Sequence, residues 1–284
     1  SIMSAVNRAN TVYVNTGDYA NPADLIMNTI TPTNNIVRDG KDAYTTLDAF
    51  KDIQATDFYN AEEAVAYRDA AIKELTKEGV TFPVMMLVRY NPSGTNWEQE
   101  CIVLEQQVES VLGKEYIDII IEAGPSENFL STVRRSSDYM FMKCNWGGDY
   151  ADPETWVEPF YQRDNGDGTF HRGGRYAYLA YAIVDDTASA DTVKEYFRLV
   201  EEAKAITGAD QEAERFEAFA KAESYLIEHA LAVPYGISTK AYIVNKLDVF
   251  ESQYSPSGVA NSRYKGMKLY SDFISMDEYN ANKK

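Results

Sequence analysis

The feature that most limits how this chain can fold is an alternation of two periods between residues 60 and 144. Asn60 and Glu63 stand in an N-x-x-E capping arrangement, Ala64, Ala71, Ile72 and Leu75 then recur at helical spacing, and Gly79 supplies a stop. Val84-Met-Met-Leu-Val88 follows, with Pro83 near its start, and reads as a buried strand. Residues 98–112 return to helical spacing and end at Gly113, and residues 116–122 form a second β run. Ser126 opens a short helix through Phe129, Leu130 and Val133, and YMFMKC at 139–144 has the length and composition of a third strand. Helix and strand alternating three times predict an α/β arrangement of neighbouring parallel strands joined by crossovers.

The flanks are read in the same way. Residues 2–14 predict a short helix that breaks near Gly17. Residues 17–57, rich in Asn, Thr, Pro and Asp, predict surface loop with one short helix near Leu47 and Phe50. Residues 191–206 and 210–229 predict two helices divided at Gly208, each with one apolar face. Residues 230–238 and 241–245 look like strands, and a β-like patch stands at 267–270. There is no internal repeat and no low-complexity block.

Composition narrows function more than fold. The 284 residues suffice for one large domain or two small ones, and 45% hydrophobic content supports a packed core. Forty-four acidic against 27 basic side chains leave a net charge of −17, which repels phosphate backbones and anionic lipid heads and argues against nucleic-acid binding. Cys101 and Cys144 have neither CxxC nor metal-ligand spacing and read as free thiols. The turn Arg163-Asp-Asn-Gly-Asp-Gly168 resembles a calcium loop only superficially, because Arg163 and Gly174 would fall on its first and twelfth ligand positions. No apolar run approaches the 18 residues of a membrane span. The chain begins Ser-Ile-Met-Ser, without initiator Met or leader, and enters directly what reads as a helix; it is expected to be an excised piece of a longer protein.

Candidate chemistry concentrates at 145–159, NWGGDYADPETWVEP. After the third predicted strand, Gly147-Gly148 permit a tight turn or close approach of a ligand, and Asp149 stands just beyond. Asp152-Pro153-Glu154 reads as a helix start, which assigns Asp152 to capping. Asp149 has two readings: a carboxylate for a ligand ammonium, or a turn residue bonding its own backbone. Trp146 either walls a cleft or belongs to the core. Asn145 and Gly147 could offer backbone groups to an extended peptide, and Tyr90 and Asn91 could end on the same sheet edge. Arg89 is read as a solvated surface residue or as a partner for an anionic group. An acid/base pair of Asp149 and Asp152 with Glu154 or Glu158 nearby is the enzymatic alternative, but spacing across a loop and a helix cap does not put two carboxylates on one face. No G-x-S-x-G, H-E-x-x-H or phosphate-binding glycine loop occurs.

The pattern W-G-x-D-Y-x-D-P in 146–153 resembles the signature of family-5 solute-binding proteins of ABC importers, the oligopeptide-binding type. IMSAVNRANT at 2–11, YNAEEAVAYRDAAIKELTKEGVTF at 59–82, PVMMLVRY, YIDIIIE, DYMFMKCNWGGDYADP, ALAVPYGIS and AYIVN occur in family order, so the similarity covers nearly the whole chain. The resemblance implies one lobe of a type II periplasmic-binding-protein-like clamshell, a mixed sheet flanked by helices. Residues 1–246 would form the ligand-binding lobe, and 247–284 a tail returning to a first lobe for which nothing here corresponds.

It implies that Asp149 pairs with a peptide's N-terminal amine, that Asn145 and Gly147 pair with its backbone, and that Trp146 lies beside a side-chain pocket. Tyr235, in VPYG, would border the cleft. NPSGTNWEQE at 91–100 lacks the Arg with which dipeptide binders hold a carboxylate, which favours longer peptides. The implied protein is a monomeric, extracytoplasmic, lipid-anchored binding component that delivers oligopeptides to membrane permease subunits, with no catalysis, metal or cofactor. The alternatives are the same fold binding a dipeptide, nickel chelate or sugar, or an acid/base hydrolase.

Overall fold

The computed structural model describes residues 1–17, 25–171, 177–237, 246–248 and 267–282. The predicted strand at 241–245 and the loop from Arg172 to Arg175 lie outside the described residues. The helices are α1 (Ile2–Ala5), α2 (Arg8–Thr16), α3 (Lys51–Gln54), α4 (Ala61–Lys77), α5 (Trp97–Leu112), α6 (Glu154–Val157), α7 (Tyr181–Val184), α8 (Ala190–Ala205), α9 (Glu212–Glu228) and α10 (Met276–Asn282). Strands β1 (Val37–Arg38) and β2 (Lys41–Asp42) form a hairpin, and β3 (Val84–Tyr90) pairs in parallel with β4 (Ile117–Ala123). No described helix is long and apolar enough to cross a membrane.

The βαβ unit β3–α5–β4 is the predicted parallel unit, in register from Val84 opposite Ile117 to Tyr90 opposite Ala123. Its burial is one-sided. Met86, Val88, Ile117 and Ile119 face a core shared with Ala64, Cys101, Val108 and Leu112, while Met85 is 50% exposed. Arg89 lies on that outer side and pairs with Glu122 at 2.8 Å and Asp138 at 3.0 Å, so two carboxylates of the chain already occupy it.

A second core joins α8 and α9 to the hairpin region. Val193, Tyr196, Phe197, Val200 and Ala203 meet Phe216, Phe219, Ala220, Leu226 and Ile227, with Ile36, Tyr44 and Phe50 packed on them. The two predicted helices are thus one antiparallel-type packing problem solved by their apolar faces.

Three expectations are corrected. The run at 139–144 is not a strand: Met140 and Phe141 both donate to the Leu87 carbonyl, and only a single parallel bridge from Phe141 to Val88 forms. One acceptor taken twice cannot propagate a ladder. The stretch 230–237 is turn and extended chain with one bridge, Gly236 to Ile26; a side chain at Gly236 would stand 2.6 Å from the Leu25 carbonyl. The helix expected at 2–14 is two helices, because Asn7 caps a new one by accepting from the Ala9 N–H at 3.0 Å. Asn60 likewise accepts from the Glu63 N–H at 3.1 Å, but its own N–H goes to the Ser4 carbonyl, which ties α4 to α1 instead of closing a reciprocal box.

The hairpin β1–β2 was not read from the sequence, although Asp39-Gly40 carries its signal. Both residues have positive φ, 52° and 74°, which is the primed turn that matches the twist of paired strands. Arg163–Gly168 is the expected tight turn; the Asp164 and Asp167 carboxylates accept from the Gly166 and Thr169 N–H groups within it.

Candidate functional site

The parallel pair ends at Tyr90, and the chain from Phe141 runs beside that end, which brings Asn91 and Asn145 to one cleft. The cleft encloses about 130 Å³, and Trp97, Phe129, Leu130, Arg134, Met142, Lys143 and Cys144 complete its lining. Of the candidate ligand-binding residues read from the sequence, Asn91 and Asn145 are the two in this lining. Tyr90 packs against the sheet core, and its hydroxyl donates to Glu98 at 3.0 Å. Tyr235 is not in the lining, and its ring centroid is 5.7 Å from the ammonium of Lys143, which is. Burial pushes the Tyr235 phenol above its ordinary range.

Lys143 explains how an irregular segment is held in place. Its ammonium pairs with Glu100, a carboxylate of α5 that is 4% exposed, and Asn15 of α2 donates to the other oxygen of the same carboxylate. The Lys143 ammonium also lies 5.5 Å from the Trp97 ring centroid. One residue on, the Cys144 thiol meets the Arg134 guanidinium at 2.8 Å. Burial raises the Cys144 thiol above its usual range, against the lowering charge and hydrogen bond of Arg134. Cys101, beside Glu100, is pushed up to about 12 by burial and by that carboxylate. Neither thiol therefore has the thiolate character of a nucleophile at neutral pH.

The rest of the segment is clasped to α6 by Thr155, a buried residue that no sequence signal marked. Its carbonyl accepts from the Trp146 indole N–H at 2.8 Å, and its hydroxyl accepts from the Asp149 N–H at 3.0 Å. Trp146 packs on the α8–α9 core instead of lining the cleft. Gly147 is open, with nothing near where a Cβ would stand, whereas a Cβ on Gly148 would lie 2.9 Å from the Trp156 ring. The glycine the packing requires is therefore Gly148, and it serves close approach. Trp156 is 5% exposed and its indole donates to Asn35 at 3.0 Å, so the ring has nowhere to go. Gly148→Ala should lower the unfolding free energy by about 1–3 kcal/mol in urea denaturation; an unchanged midpoint would contradict this packing.

Asp149 itself is exposed, outside the lining of the cleft. The neighbouring carboxylates are committed elsewhere. Asp152 accepts from the Glu154 N–H at 2.9 Å, the predicted helix-start role, and pairs with Arg215 at 3.0 Å. Glu154 pairs with Arg215 at 2.5 Å and with Lys204 at 3.2 Å, and Glu158 with Lys204 at 3.0 Å. Burial opposes the Lys204 charge, but these two glutamates outweigh it and hold the ammonium above its usual range. Asp152, Glu154 and Glu158, weighed with Asp149 as an acid/base set, thus fasten the α6 region to α8 and α9.

No family model matches the chain. Comparison with solved structures bears on the fold, which is similar to part of two larger proteins. The pheromone receptor PrgZ aligns over 95% of this chain and 44% of its own, with a TM-score of 0.59 at 18% identity. The substrate-binding domain of an oligopeptide ABC transporter from Bacillus anthracis aligns over 84% of this chain and 39% of its own, with a TM-score of 0.58 at 21% identity. By sequence, the chain is similar to the oligopeptide-binding protein AliB of Streptococcus pneumoniae, 28% identical over 228 residues, or 78% of this chain and 34% of the relative. The resemblance read from the signature and the order of segments is borne out, and the chain spans about a third of the length of the curated relatives it matches.

Proposed function

We propose that this chain is the second-lobe part of an extracytoplasmic solute-binding component of an ABC importer, which captures oligopeptides and delivers them to the membrane permease. It acts as a binding protein, without catalysis. The observation that carries the reading is the convergence of Asn91 and Asn145 on one cleft at the end of the β3–β4 pair, within a chain related over most of its length to oligopeptide-binding proteins. In open α/β sheets that end is where ligands sit. Asn145 and Gly147 are exposed, and their backbone groups would offer hydrogen bonds indifferent to side-chain identity, as an extended peptide needs. Asp149, exposed beyond it, would pair with the N-terminal ammonium. The occupation of Arg89 by Glu122 and Asp138 favours longer peptides over a dipeptide whose carboxylate that residue would hold.

The test is binding of free and N-acetylated peptides by calorimetry or NMR titration. A charge-assisted hydrogen bond to the ammonium is worth about 1.5–3 kcal/mol, so acetylation or Asp149→Asn should each weaken binding roughly 10- to 150-fold, and the two together little more than either. Equal affinity of free and acetylated peptides would remove Asp149 from the site, and binding of a sugar or nickel chelate in preference to all peptides would replace the ligand class.

A further inference from the structure

The cleft at the sheet end has a size and a wall chemistry that the peptide reading alone does not specify. At about 130 Å³ it cannot hold a peptide. It is comparable to the roughly 150 Å³ apolar cavity that accepts a benzene ring. Its apolar wall is Trp97, Phe129, Leu130 and Met142, with the first two rings 5.3 Å apart. The charged residues on it are both cations, Arg134 and Lys143, and no carboxylate is among its described lining residues. Lys143 is already matched by Glu100 beneath it, and Arg134 is 8% exposed with its guanidinium against Cys144. Asn91 and Asn145 are the uncharged polar residues of the lining.

Resting on the proposed function, we infer that this cleft is a specificity pocket that takes one apolar peptide side chain, of leucine to phenyl size, and rejects lysine and arginine. Apolar area entering the cleft leaves water, which favours binding. An incoming ammonium or guanidinium would lose hydration with no carboxylate among the described lining residues to receive it.

The experiment is an NMR titration of the full 284-residue chain with four probes: toluene, isopentanol, n-butylammonium and propionate. Peptides with a free N-terminus follow, carrying one Leu, Phe, Lys or Glu among alanines at each position in turn. Toluene and isopentanol should shift the amides around Trp97, Phe129 and Met142, and at the best position Leu or Phe should bind about ten-fold or more tighter than Lys. Leu130→Trp should abolish toluene binding; Leu130 is 48% exposed, so the substitution fills the cleft without opening the core. Met142→Trp gives an independent second block. Preference for n-butylammonium or propionate, or toluene binding untouched by both tryptophan variants, overturns the inference. Toluene held there while no peptide binds upholds the pocket's selectivity and overturns the peptide reading. Peptides that bind with no preference for Leu over Lys at any position overturn the pocket and leave the peptide reading standing.

Discussion

Replacing Arg8 by methionine lowers the unfolding free energy by about 3–5 kcal/mol. Arg8 opens α2 and is 2% exposed. One terminal nitrogen donates to the Met27 carbonyl at 2.5 Å and the Pro234 carbonyl at 3.4 Å; the other donates to Asn28 Oδ1 at 2.8 Å and the Asp57 carbonyl at 2.9 Å. The guanidinium also lies 4.9 Å from the Phe58 ring centroid. Its planar fork thus gathers three segments distant in sequence around the start of α2, and methionine leaves their acceptors facing an apolar stem. The carboxylate of Asp57, 66% exposed and 3.7 Å away, compensates the charge only weakly. Burial accordingly draws the guanidinium below its ordinary pKa, with Asp57 opposing. Urea unfolding measures the loss, and a decrease below about 1 kcal/mol would mean that water replaces the guanidinium at these carbonyls. Arg8→Lys should recover only part of it, since an ammonium has three donors and no fork.

Glu223→Leu should cost about 2–4 kcal/mol, with a pH dependence of known sign. The carboxylate is fully buried in α9 and accepts from the Thr31 N–H at 2.8 Å, the Thr31 hydroxyl at 2.7 Å and the Tyr44 hydroxyl at 3.0 Å. It fastens an irregular segment to the helical core, and leucine leaves the Thr31 N–H buried without its acceptor. Burial raises the carboxyl above its ordinary 4.5, against the lowering bonds from Thr31 and Tyr44. The folded chain therefore holds this proton more tightly than the unfolded chain does. The resulting stability is fully present below about pH 4.5 and is lost as pH rises through the raised folded value. Glu223→Gln removes the titration, so the difference in unfolding free energy between wild type and this variant should move against wild type as pH rises from 4 to 8. A difference that is flat, or that moves the other way, contradicts the assignment.

Local pattern determined much of this protein. Helical spacing, caps and glycine stops marked α4, α5, α8 and α9 to within a few residues, because each of those helices carries its own apolar face and its own ends. The βαβ core was legible for the same reason, and the order of its pieces with the signature at 146–153 pointed to the class of relative that comparison supports. The helix-start role of Asp152 was also written locally, since a cap bonds only its near neighbours.

What a residue meets across the chain was not written there. The apolar run at 139–144 has strand composition, but pairing depends on which carbonyls an adjacent edge still offers, and Leu87 accepts both donors. Trp146 and Gly147 stand in the signature, yet packing sends the indole to Thr155 and leaves Gly147 open, while Gly148 is the position where a side chain would strike Trp156. No sequence signal marked Glu100 or Arg134, and only the fold buries them beside the segment that carries Lys143 and Cys144. Spacing along a chain encodes period and caps; the partners of a buried charge are set by segments far away in sequence, and only the assembled fold brings them within reach of one another.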